Sequence, residues 1–86
     1  RFVEISKGTI VISNAGHDKD NFFVVTDIKD NFAYISDGKH KKLINPKKKS
    51  LKHLKPTHTV IDLTDLTDKK LRSVLNSKLS EQTVTN

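Results

Sequence analysis

Residues 7–28 read "KGTIVISNAGHDKDNFFVVTDI", and the way this stretch folds decides the class of the chain. Two runs rich in β-branched and aromatic residues, "GTIVIS" and "FFVVTDI", flank the polar cluster "NAGHDKDN". Such side chains pack well on a pleated surface, so both runs are expected to be strands. The cluster between them has the small, polar and glycine residues of a loop. The first strand then runs out with Val11 pointing inward, the chain turns at Gly16, and the second strand returns through Phe22 to Val25. A glycine at such a turn opens backbone conformations that a substituted residue resists.

Working outward, "KDN" separates the second run from "FAYIS", so residues 22–36 read as a β-hairpin. Asp37-Gly38 is the dipeptide of a two-residue type I′ turn, whose central positions both need positive φ. It predicts a strand over residues 39–44, antiparallel to "FAYIS", with its lysines protecting a sheet edge. Asn45-Pro46 breaks that strand, "KKKS" reads as an exposed turn, and the alternating "LKHL" reads as a short fifth strand. Short strands with turn signals between them point to a small barrel. Beyond Pro56 the pattern changes. Leu71, Val74, Leu75 and Leu79 share one helical face, Thr67 is placed to cap the helix, and Asp68 complements its dipole.

The 86 residues make one small domain with a modest core and little room for an internal catalytic cavity. A hydrophobic fraction of 34% with 30% charged residues would permit disorder, but "FFVV" and "FAYI" argue for a folded core. The net charge of +6 is concentrated. Residues 1–38 hold four basic and six acidic side chains, residues 39–55 hold eight lysines and no acid, and residues 56–86 are balanced. Solvated charged faces normally mix both signs, so the pure run reads as an electrostatic footprint. Lysine outnumbers arginine fourteen to two, and compact point charges suit phosphate backbones better than base edges. Lys39, Lys41, Lys42, Lys47, Lys48, Lys49, Lys52 and Lys55 are therefore the candidate phosphate contacts. His40 and His53 can add hydrogen bonds or stacking, against the plain reading of surface histidines. Of the aromatics, one of Phe22 and Phe23 and one of Phe32 and Tyr34 are expected in the core, because strand neighbours alternate between faces.

Other chemistries find no foothold. The chain has no cysteine, so disulfides and thiolate metal sites are excluded. His53 and His58 meet no recognised zinc spacing, and no metal or other cofactor is expected. No nucleophile pairs with a base at a meaningful spacing and no glycine-rich phosphate loop occurs, so neither catalysis nor a small-molecule substrate is expected. No apolar run approaches the roughly 18 residues of a membrane span, and no signal-peptide core is seen, so a cytoplasmic protein without a membrane partner is expected.

The pattern Gly8-x-Ile10-Val11, then Ala15-Gly16-x-Asp18-Lys19, then Val24-Val25 resembles the KOW motif. It departs from it at Asp20, where the family usually has glycine; aspartate tolerates left-handed geometry better than most residues. "AYISDGKHKKLINPKKKSLKHLKPT" is similar to the second half of the bacterial KOW-domain RNA-binding proteins, which are related to the archaeal and eukaryotic large-subunit ribosomal protein fourteen. That similarity is carried by Asp37-Gly38 and the basic residues after it, by Pro46-Lys47-Lys48-Lys49, and by Leu51-Lys52-His53-Leu54. Together the two blocks span residues 7–57.

Read from the residues, a mainly β domain over residues 1–57 is followed by a linker and C-terminal α-helix over 58–86; the resemblance implies that this domain is a small SH3-like (KOW) barrel. It implies a ribosome-associated protein that binds ribosomal RNA of the large subunit and can touch neighbouring ribosomal proteins. The loop of Asn14, Gly16, His17 and Lys19 would insert against RNA backbone or a protein neighbour. The rival expectation is an adaptor docking on a ribosomal or transcription protein. Its lysines would steer toward an acidic partner, and Leu71, Val74, Leu75 and Leu79 would form the docking stripe unless they pack back onto the barrel.

Overall fold

A computed structural model describes residues 5–83, with side-chain surroundings to residue 78. Five antiparallel strands form one sheet: β1 (Thr9–Ser13), β2 (Phe22–Lys29), β3 (Phe32–Ser36), β4 (Lys47–Ser50) and β5 (Leu54–Val60). Helix α1 (Asp68–Thr83) follows. The spatial order is β4-β3-β2-β1-β5. The fold is thus mainly β with a C-terminal helix, as expected. No helix among the described residues is long and apolar enough to cross a membrane.

The expected β1, β2 and β3 form where the β-branched and aromatic runs lie, and Ile10 pairs with Val24, Val11 with Phe23. The turn between β2 and β3 is made by Asp30-Asn31, with Asp30 at φ 55°. Beyond Ser36 the course differs from the expectation. Gly38 has φ 76°, but Asp37 is not in the positive-φ region, so no type I′ turn forms. Instead the Asp37 carboxylate accepts the backbone N–H groups of Lys39, His40 and Lys41 at 2.8, 3.0 and 2.8 Å. Donors that a strand would give to a ladder are taken by a side chain, so residues 39–44 form a loop rather than a strand.

The fourth strand is "KKKS", which reads as a turn in the sequence alone; it pairs Ile35 with Lys47, Tyr34 with Lys48 and Ala33 with Lys49. "LKH" is a 3-10 turn, and β5 starts only at Leu54 and runs past residue 57 to Val60. The two edge strands are therefore joined by three residues, Leu51–His53. In a flat sheet of this order they would stand about 19 Å apart, whereas a 3-10 turn rises only about 2 Å per residue. The sheet must curl for the connection to be made. No ladder joins β4 to β5 among the described residues, so the curled sheet stays open.

Both faces of the sheet are covered. The concave side packs Val11, Phe23, Val25, Ala33, Ile35 and Leu54 together. On the other side Ile10, Phe22 and Val24 pack against Leu71 and Leu75 of α1. Phe22 and Phe23 are therefore both buried, rather than one of the two, because the helix covers the face that a two-layer reading leaves to water. Phe32 and Tyr34 share the opposite outcome: the inward positions of β3 go to Ala33 and Ile35, Phe32 is exposed and Tyr34 half-buried.

The linker belongs to the same core. Ile61, Leu63 and Leu66 pack on the helix side of the sheet. Thr67 caps α1 as expected, its Oγ1 accepting the Lys70 N–H at 3.1 Å. Leu71 is fully buried and Leu75 is 7% exposed, so these two stripe residues are part of the core and are not open for docking. Val74 is half-buried against the same cluster, and the Leu79 side chain lies outside the described ones.

Candidate nucleic-acid interface

The loop between β1 and β2 opens with Asn14-Ala15 and winds through a 3-10 turn, Gly16–Asp18. Gly16 has φ 73° and Asp20 φ 72°, so both left-handed positions of the loop are filled by residues that tolerate them. Asp18 is the buried member, 6% exposed. Its carboxylate lies 2.7 Å from Lys47 Nζ, 3.2 Å from Lys41 Nζ and 3.7 Å from Lys49 Nζ. Lys49 Nζ also donates to the Ala15 carbonyl at 3.1 Å.

This arrangement follows from strand alternation. Lys47 and Lys49 sit opposite Ile35 and Ala33, so both side chains leave β4 on the concave side, and their ammonium groups meet Asp18 at its rim. An isolated ammonium there would be costly, and Asp18 supplies the counter-charge. Burial by itself would raise the Asp18 carboxyl, but hydrogen bonds from Lys47 and Lys41 and their Coulombic attraction outweigh it and hold the group below its usual value. Three of the eight candidate lysines thus have an internal partner. One carboxylate against three ammonium groups still leaves the cluster positive.

The other candidates except Lys48 lie around this loop with their charges facing water. Lys39, His40 and Lys42 project from the 37–46 loop, and all three are exposed. Lys52 and Lys55, from the 3-10 turn and β5, are exposed as well, while His53 is half-buried and its carbonyl accepts the Asn14 N–H at 2.9 Å. Asn14, His17 and Lys19 are exposed on the loop itself. Lys48 points to the convex side, with Nζ 4.3 Å from the centroid of the Phe32 ring, a cation–π pair on the outer surface. The structure therefore brings together two segments separated in sequence. The Gly16 loop is held to the 41–49 segment through Asp18 and Ala15, and to the 52–55 segment through Asn14.

A groove of about 610 Å³ opens beside this loop. Three chain segments make its walls: Asp20–Phe22, the 37–42 loop, and α1 at Arg72, Leu75 and Asn76. The helix is fixed there by two contacts. Asp68 accepts the Leu43 N–H at 2.8 Å, and Arg72 Nη1 donates to the Gly38 carbonyl at 2.6 Å. Gly38 is needed for this approach, since a Cβ on it would stand 2.5 Å from the Asp68 carbonyl oxygen.

Sequence reasoning missed Asp18 as an anchor and Arg72 altogether. Asp18 sits among five polar neighbours with nothing in its local pattern to mark it as buried. Arg72 follows the core residue Leu71 on the helix, which says it faces away from the core centre but not that Gly38 lies beside it. Among the described residues no cluster of three metal-ligating side chains occurs. Comparison with protein-family models and with curated proteins returns no match for this chain.

Proposed function

We propose that this chain is a KOW-type, SH3-like barrel that binds structured RNA without catalysis, and that its ligand is ribosomal RNA of the large subunit. The observation that carries this reading is the convergence of two basic segments on one loop. Lys19, Lys39, Lys42, Lys52 and Lys55 surround the Gly16 loop, all exposed and none in an ion pair among the described residues. A surface that carries this much unbalanced positive charge around a projecting backbone loop suits a polyanion with a regular phosphate spacing. The resemblance of the two sequence blocks to KOW-domain proteins supplies the choice of RNA, of the ribosome and of a cytoplasmic setting, with ribosomal proteins as neighbours.

The adaptor reading loses its main support, because Leu71 and Leu75 are buried against the sheet. Titration of a structured ribosomal RNA fragment across a salt series tests the RNA reading. About five phosphate contacts give a log–log slope near −4, at roughly 0.7 to 0.9 per contact. A flat response overturns it. Partners that survive ribonuclease treatment during co-purification would restore the adaptor.

A further inference from the structure

The groove between the β1–β2 loop, the 37–42 loop and α1 has a polar inventory that a plain phosphate track does not explain. Lys39, Lys42 and Arg72 line it, but so does Asp20, an acid that repels phosphate. Two carboxylates reach the groove, and they differ. Asp37 is committed, its Oδ1 accepting three backbone N–H groups of its own loop. Asp20 makes no side-chain hydrogen bond and no ion pair among the described residues, although cations share its groove. Asn76, on the helix wall, likewise has an uncommitted amide.

We propose that this groove receives one unpaired guanine nucleotide of the bound RNA. The inference rests on the RNA-binding reading and deepens it. An ionised carboxylate only accepts hydrogen bonds. In a site that otherwise attracts anions, it is favourable when the ligand presents uncharged donors to it. Guanine does so with two parallel donors, N1–H and the N2 amino group, on its Watson–Crick edge, the edge that single-stranded readers use. Adenine, cytosine and uracil present no such pair side by side. The base lies against the residual exposed edges of Phe22 and Leu75, Asn76 faces its remaining polar atoms, and its flanking phosphates meet Lys39, Lys42 and Arg72. Arg72 is already oriented by its bond to the Gly38 carbonyl. The groove's volume is in the range of small-ligand clefts.

The test uses the full chain and four RNA hairpins that are identical except at one position: fully paired, or with a single bulged guanine, adenine or uridine. Affinities are read by fluorescence anisotropy at one salt concentration, for the parent and for Asp20→Asn. Asparagine accepts the left-handed backbone at this exposed position, and a thermal melt checks that the fold is kept. The bulged-guanine hairpin is expected to bind at least about fivefold more tightly than the others, as for a good bidentate base contact. Asp20→Asn is expected to abolish that preference while the paired hairpin binds at least as well as before. Equal affinity for every bulge overturns the groove assignment and leaves the RNA reading standing, as does an Asp20→Asn change that tightens all four alike. Failure of every hairpin to bind overturns both.

Discussion

The Lys47 ammonium and the Asp18 carboxylate lie 2.7 Å apart, and through them the edge strand β4 is tied across β3 to the loop between β1 and β2. An edge strand with three consecutive lysines is held in place by one acid from a distant loop. That acid stabilises the curl of the sheet and at the same time withdraws part of the basic patch from solvent.

Asp18→Asn is accordingly expected to destabilise the fold by about 2 kcal/mol in urea melts. This is short of the roughly 3–5 kcal/mol lost when a wholly buried pair is broken, because Lys47 remains 44% exposed and can turn to water. The pH dependence has a definite sign. A carboxyl held below its ordinary value of about 3.9 contributes fully above that pH. Its contribution is lost as pH falls through the lowered value in the folded state. The gap in stability between parent and Asp18→Asn should therefore be constant near neutrality and close in acid. A gap that stays constant down to about pH 2.5 would deny Asp18 this role.

The lysines divide into two functional groups. Lys49→Ala removes a side chain that is 12% exposed, hydrogen-bonded to the Ala15 carbonyl and ion-paired with Asp18, and is expected to lower the melting temperature. Lys42→Ala removes an exposed, unpaired charge, and is expected to leave the melt unchanged while reducing the salt slope of RNA binding by about 0.7 to 0.9. Parallel melts and titrations on the two variants separate scaffold from contact.

Two glycines with similar backbone angles should respond differently. Gly38→Ala meets the Asp68 carbonyl oxygen at 2.5 Å in addition to its strained φ, and is expected to cost on the order of 2–4 kcal/mol. Gly16→Ala meets only the flexible Lys49 ammonium at 3.6 Å, leaving backbone strain of about 1–2 kcal/mol. Equal losses in thermal melts would show that helix docking at Gly38 adds nothing.

Leu71→Ala tests whether α1 is an integral layer. The side chain is fully buried against Ile10, Phe22 and Val24, and its truncation is expected to cost about 2–5 kcal/mol in a single cooperative transition. A helix that melts separately from the sheet would argue instead for an appended element.

Strands β1 to β3 and helix α1 were legible in the sequence because each depends on local signals: β-branched runs, the Asp30-Asn31 turn, the Thr67 cap and the apolar period through Leu71 and Leu75. The basic character of the surface was legible for the same reason, since net charge survives any folding. What only the tertiary structure decided was the path from Asp37 to Leu54 and the fate of the lysines along it. "KKKS" has poor strand propensity, and it becomes β4 because Lys47 and Lys49, opposite Ile35 and Ala33, face the concave side and find Asp18 at its rim. Lys48, between them, points outward to Phe32. Strand alternation around a distant carboxylate, rather than any property of lysine itself, separates the lysines that hold the sheet from those left facing solvent.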